Sequence, residues 1–138
     1  GARGLMQLMP RTASFIARDR QYHLNNKNKL YGPRVNLELG QKYLKILLND
    51  PKIRNDLFLL VVAWNGGPGN LNKWLRRNSY KKDPLFFIES IPSRETRNFI
   101  ERVISNLWIY RDQLKQKKPS LKSLIAGDGP LYVPQEAN

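Results

Sequence analysis

Residues 57 to 63, Leu57-Phe58-Leu59-Leu60-Val61-Val62-Ala63, form an apolar run with almost no polar position, and this run constrains the fold more than any other feature. A helix that is apolar all round has no face to give to water, so it belongs at the centre of a core. Asn55 is placed to cap such a helix, and Asp56 suits its positive first turn. After Trp64, the segment Asn65-Gly66-Gly67-Pro68-Gly69 stops it abruptly, because Asn and Gly tolerate the left-handed backbone of a helix end. β-Branching at Val61 and Val62 also allows a short buried strand, but the flanking pattern favours the helix. The run is far shorter than the ~20 residues a membrane-spanning helix needs.

Helical signals recur along the rest of the chain, so an all-α fold is expected. Residues 4–9 read as a short helical turn, and Pro10 fits the first position of a second helix, where its missing N–H costs nothing. Residues 19–34 hold Asn25, Asn26, Asn28, Gly32 and Pro33 without a clear period and read as a loop. Asn36 is expected to cap the next helix, whose apolar stripe is Leu39, Tyr43, Leu44, Ile46, Leu47 and Leu48. Asn70 is expected to cap a short helix running through Trp74 to Arg77, and residues 83–91 form another. Ser93 caps the longest helix, from about Glu95 to Leu114, with an apolar side at Phe99, Ile100, Val103, Ile104, Leu107, Trp108 and Leu114. From Gln116 onward the chain turns basic and carries Pro and Gly, which predicts an extended tail with little secondary structure. The expected organisation is thus one domain over 1–115 and a tail over 116–138.

A chain of 138 residues can bury roughly two-thirds of its unfolded surface, and 41% apolar content suits a globular protein. There is no cysteine, which excludes disulfides and thiolate metal sites, and His23 is the only histidine. Neither a metal nor a cofactor is expected. Twenty-four Lys and Arg against eleven Asp and Glu give a formal charge of +13, a field that gathers anionic polymers and surfaces. Lys27, Lys29, Arg34, Arg76, Arg77 and Lys81 belong to this surplus, with Lys82, Lys115, Lys117 and Lys118, and fall mostly in loops and the tail. No helix-turn-helix, RNA-binding or zinc-finger signature accompanies the charge, so nucleic acid is not the expected partner.

Three short blocks stand out, each with an ordinary structural reading. Gly4-Leu5-Met6-Gln7 reads as a helix start whose Leu and Met fill core gaps. Ala63-Trp64-Asn65-Gly66-Gly67-Pro68-Gly69 reads as a helix stop. Glu89, in Phe87-Ile88-Glu89-Ser90-Ile91-Pro92, reads as a solvated charge near a helix end, and Glu95 and Arg97 tie the long helix to the turn before it.

In this order, and with Asn36-Leu37, Gly40 and Tyr43-Leu44 between them, the blocks resemble the catalytic domain of the soluble lytic transglycosylases, lysozyme-like enzymes that cleave peptidoglycan. The resemblance spans roughly residues 1–113. It implies an all-α, lysozyme-like fold with a glycan cleft lined by Met6, Gln7, Trp64, Asn65 and Glu89. Gln7 would hydrogen-bond acetamido or hydroxyl groups, Met6 would pack on a sugar ring, and Glu89 would be a substrate contact rather than the proton donor. Gly66 and Gly67 would let backbone approach the ligand. The sequence departs from the family pattern at Trp64, where tyrosine is typical, and at Gly66, where alanine is. Trp64 can still stack on a sugar face and donate its indole N–H.

The resemblance also implies the reaction: non-hydrolytic cleavage of the β-1,4 bond between N-acetylmuramic acid and N-acetylglucosamine, closing a 1,6-anhydro ring. One glutamic acid protonates the leaving oxygen and then takes the proton of the muramyl C6 hydroxyl, which needs an apolar wall that raises its pKa. That glutamate belongs upstream of the Gly4-Leu5-Met6-Gln7 block and is expected N-terminal to Gly1, so this chain alone is expected to have little activity. The implied partner is the peptidoglycan glycan strand, the implied setting the bacterial periplasm or cell envelope, and a monomer is expected. Two other classes are open to the sequence: a peptidoglycan-binding module that does not cut, and a basic protein that meets nucleic acid or anionic surfaces through charge.

Overall fold

The computed structural model describes residues 1–80 and 83–133. The expected cations Lys81 and Lys82 and the last residues of the expected tail lie outside them. The architecture is all-α, as the periodicities predicted: α1 is Pro10–Ala17, α2 Pro33–Leu48, α3 Leu57–Gly66, α4 Pro68–Arg77, α5 Pro84–Glu89, α6 Arg94–Gln113 and α7 Pro119–Ile125. Five of the seven begin on proline. The chain groups into two compact units, Gly1–Ile46 and the remainder from Leu47. Among the described residues, no helix is long and apolar enough to cross a membrane.

The first unit is organised around a side chain that sequence reading misplaced. Asn36 does not cap α2, which begins three residues earlier at Pro33; it sits inside the helix and is fully buried. Its Oδ1 accepts from the backbone N–H of Met6 at 2.6 Å, and its Nδ2 donates to Arg3 O and Leu30 O, both at 2.9 Å. A buried amide is stable only when its donors and acceptors find partners, and these partners are supplied by two other parts of the chain. Residues 4–9 are accordingly not a helical turn. Arg3 and Leu8 exchange two backbone hydrogen bonds of 3.0 Å as an isolated antiparallel bridge, with a tight turn between them. The region read as a loop, 19–34, contains two 3₁₀ segments, Arg20–Tyr22 and Lys27–Tyr31, before Pro33 starts α2.

In the second unit the apolar run is the helix α3, buried from Leu57 to Ala63, and it packs on α4 and α6. Its cap is Asp56, whose side chain accepts from Leu59 N at 3.0 Å, while Asn55 takes left-handed backbone at φ 61°. Asn70 is likewise not a cap: α4 starts at Pro68, and Asn70 donates back to Gly66 O at 2.9 Å. Ser93 does cap α6, accepting from Thr96 N at 3.2 Å, and Ile100 and Ile104 form its buried seam. Val103 and Leu114, placed on the same apolar side by period, are exposed: Val103 flanks the narrow buried line of Ile100 and Ile104, and Leu114 follows the last residue of α6.

The segment after Gln116 is not extended throughout: residues 119–125 are helical. Pro119 begins α7, where a missing N–H is harmless, and Trp108 Nε1 donates to Ser120 Oγ at 3.0 Å to hold it on α6. Further on, Pro130 is buried and its carbonyl accepts from Leu57 N at 2.7 Å, while Tyr132 N donates to Asn55 O at 2.6 Å. This part of the chain therefore closes the N-terminal end of α3, supplying one of the acceptors that the first turn of a helix lacks.

Candidate functional site

Met6 and Gln7 sit at the tip of the turn closed by Arg3 and Leu8. Gly4 adopts φ 71°, and a Cβ there would lie 2.3 Å from Leu30 O and 2.4 Å from Asn36 Nδ2, so both backbone and space demand glycine. Gln7 is itself left-handed, at φ 49°, a conformation that costs on the order of 1 kcal/mol for a side chain of this type. Its side chain is exposed and donates through Nε2 to Gly4 O at 2.8 Å, which leaves Oε1 and one amide hydrogen for another partner. Met6 is half-buried. Its side chain lies along α2 at Gly40, where a Cβ would fall 2.7 Å from Met6 Cγ. Gly4, Met6, Asn36 and Gly40 are thus one interlocked set, and its product is the strained, outward presentation of Gln7.

Trp64 and Asn65 occupy the last turn of α3, both half-buried. The two glycines after them do different things. A Cβ at Gly66 would meet Trp74 Cη2 and Cζ3 at 2.9 Å, with Thr96 Oγ1 at 3.6 Å, so the space it leaves is filled by the protein's own indole rather than by an approaching ligand. Gly67 has φ 82° and nothing within 4 Å of its missing Cβ. The departure from alanine at residue 66 therefore has a local cause in Trp74, a residue that sequence reading treated only as part of α4.

Glu89 is the last residue of α5 and is exposed. A helix C-terminus carries partial negative charge, which opposes a carboxylate there. The ion pairs formed among the described residues are Arg34–Glu38 at 3.0 Å and Lys118–Asp112, so Glu89 has no such partner within them. The residues after it are firmly held: Asn78 Nδ2 donates to Ser90 Oγ at 2.7 Å, Ser90 Oγ donates to Phe87 O at 2.7 Å, and Arg97 donates to Ile91 O. Arg97 thus has the tying role expected of it. Because Thr96 lies against Gly66 and Arg97 binds Ile91 O, the first turn of α6 joins the end of α3 to the segment following Glu89. Of the five predicted site residues, Trp64, Asn65 and Glu89 belong to the second unit, and Met6 and Gln7 to the first.

One displaced carboxylate was not foreseen. Burial raises the pKa of Asp56, opposed by hydrogen bonds from Tyr80 and from the backbone of Leu59 and Phe58. Tyr80 Oη donates to Asp56 Oδ2 at 2.6 Å, and its own pKa is raised by burial and then by the negative charge of Asp56. Phe87 packs against Tyr80 edge to face, with ring centroids 5.3 Å apart. A shifted carboxylate is often catalytic, but both oxygens of Asp56 are committed to structure, one to the α3 cap and one to Tyr80. The pair is separated by 24 residues, and nothing local in the sequence announces it.

A family profile described as the transglycosylase SLT domain matches residues 1–87, more than half of the chain. The chain belongs to this family. The SLT match contains Met6, Gln7, Trp64 and Asn65, while Glu89 lies two residues beyond it. Relatives extend the likeness along most of the SLT chain. A Haemophilus influenzae protein of the soluble lytic murein transglycosylase type is 34% identical over 122 residues, covering 88% of this chain and 20% of that protein. The soluble lytic murein transglycosylase of Escherichia coli K12 is 32% identical over 126 residues, covering 89% and 19%. That of Salmonella typhimurium is 32% identical over 119 residues, covering 86% and 18%. The SLT chain therefore spans about a fifth of the length of the curated relatives it matches. Its fold is the lysozyme-like helical fold of the family.

Proposed function

We propose that this SLT domain holds peptidoglycan glycan strands for non-hydrolytic cleavage between N-acetylmuramic acid and N-acetylglucosamine, leaving a 1,6-anhydro end, in the bacterial periplasm or cell envelope. The observation that carries the reading is the family match over residues 1–87, which includes the Gly4-Leu5-Met6-Gln7 turn and the Trp64-Asn65 helix end.

The chemistry of the side chains suits that role. Gln7 keeps a free carbonyl oxygen and one amide hydrogen, enough to accept from a sugar hydroxyl and donate to an acetamido carbonyl. Trp64 offers a flat apolar face for a pyranose ring, and Asn65 beside it an amide. Glu89, against the unfavourable end of α5, serves substrate contact better than helix stability. The general acid is proposed to come from sequence ahead of Gly1. Its carboxyl would start protonated against apolar side chains, give its proton to the leaving oxygen, and then take the C6 hydroxyl proton as the ring closes.

Sedimentation of the chain with purified sacculi tests the binding half. Gln7→Ala and Trp64→Ala are expected to lower the bound fraction several-fold, with helix content unchanged. For the cleavage half, the chain is produced with the upstream sequence that carries the family glutamate, and digests are analysed by mass spectrometry. Anhydro-muropeptides support the enzyme. Retention on sacculi with no anhydro product from the longer protein identifies a binding module instead.

A further inference from the structure

We propose that the first unit carries a separate groove for a carboxylate-rich peptide, built by α1, the 3₁₀ turn after it and the C-terminal half of α2. The groove has a volume of about 1090 Å³. None of Met6, Gln7, Trp64, Asn65 and Glu89 lines it, so it is not the glycan site proposed above.

Five cations line it: Arg11 and Arg18 from α1 and its cap, Arg20 from the following turn, and Lys42 and Lys45 from α2. All five are exposed, and none makes an ion pair among the described residues. The other charged or polar groups in the groove are partly engaged. Asp19, its single acid, accepts from Gln21 N at 2.9 Å, and His23 Nδ1 lies 3.2 Å from Ser14 Oγ. The positive charge is left for something else to answer.

Arg18 closes α1 in left-handed backbone at φ 52°, a position where helices often place glycine, and it lines the groove with a guanidinium that glycine would not supply.

The apolar lining selects the occupant. Phe15 is 71% exposed and Ile46 43% exposed, with Ile16 between the cations. Three planar guanidinium groups match carboxylates in paired hydrogen bonds. A polyphosphate would use the charge but not the apolar surface of Phe15, Ile16 and Ile46. A peptide alternating acidic and aliphatic side chains satisfies both.

Fluorescence anisotropy with a labelled eight-residue peptide of alternating Glu and Leu tests the proposal on the whole chain. Lys42→Ala with Lys45→Ala, and Arg18→Gly alone, are each expected to weaken binding about tenfold, and Phe15→Ser a few-fold. Arg76→Ala with Arg77→Ala removes the same charge from α4 and is expected to change binding less than about twofold. Arg18→Gly is further expected to raise the melting temperature while it weakens binding, a combination that a purely structural Arg18 would not give. The proposal is overturned if the Arg76, Arg77 variant loses as much as the Lys42, Lys45 variant. It is equally overturned if inorganic polyphosphate or phosphatidylglycerol vesicles displace the peptide from the wild-type chain and bind it more tightly.

Discussion

The turn over residues 3–8 and the elbow between α3 and α4 both rest on glycine beside a larger side chain, yet they are held by different forces. In the first unit a polar group is the organiser. Asn36, buried, fastens Arg3, Met6 and Leu30 with three hydrogen bonds, and Gly4 and Gly40 make room for Asn36 and for Met6. In the second unit the organiser is an apolar helix, buried from Leu57 to Ala63, and Gly66 makes room for the ring of Trp74. A hydrogen-bonded bracket specifies one geometry and is lost abruptly when a partner is removed, whereas apolar packing loses stability in proportion to the volume and area disturbed. Where a strained residue such as Gln7 must be presented, the bracket is the better device, because hydrogen bonds fix direction as well as distance.

The sharpest way to break this comparison is Asn36→Ala. It strands Met6 N–H and takes a donor from the carbonyls of Leu30 and of Arg3, the latter keeping its bond from Leu8 N, so a loss of about 2–3 kcal/mol is expected. Chemical denaturation measures the loss, and hydrogen exchange should show it first in residues 3–8. A loss below about 1 kcal/mol would mean that the bracket is incidental. Next in size are Gly66→Ala and Gly40→Ala, each expected to cost about 1–3 kcal/mol: at Gly66 a rigid indole must move, and at Gly40 a Cβ would meet Met6 Cγ at 2.7 Å and Met6 Cβ at 3.1 Å, atoms close to a backbone that Asn36 holds. A loss below about 0.5 kcal/mol at either would show that the close approach there is not needed.

The smallest effect expected is at Asp56. Its folded pKa is raised, so its contribution to stability is present below the ordinary aspartate value and is lost as pH rises through the raised folded value. Asp56→Asn keeps a capping oxygen and should change stability at neutral pH by less than about 1 kcal/mol. Stability measured from pH 3 to 7 should decline with rising pH more in the wild type than in this variant. Parallel profiles would show that the carboxylate is not held out of water.

Sequence signals were most legible where one residue type had one physical use. The run from Leu57 to Ala63 could only be buried, and the seam at Ile100 and Ile104 could only face a core, so α3 and α6 were placed correctly. Asparagine misled three times. Asn36, Asn55 and Asn70 each have the short polar side chain of a cap, but that side chain serves any backbone group in reach. The structure uses Asn36 for contacts across 30 or more residues, gives Asn55 left-handed backbone, and turns Asn70 back on Gly66. Proline was under-read. It opens α1, α2, α4, α5 and α7, yet the rule was applied at Pro10 and not at Pro33, Pro68 or Pro119. That omission turned α7 into an expected extended tail.

The candidate site divides in the same way. The order of three short blocks was enough to recognise the family, and it is that resemblance, not spacing by itself, that makes Met6, Gln7, Trp64, Asn65 and Glu89 the expected site residues. The basic groove was not foreseen: Arg11, Arg18, Arg20, Lys42 and Lys45 come from separate elements, and none of them stood out within a charge of +13. Composition and periodicity determined that the protein is helical, basic and built on one apolar helix. Only the tertiary structure decided which amide fastens the opening turn, which ring fills the space at Gly66 and which cations share a groove, since each of these depends on distances between residues that the chain itself keeps apart.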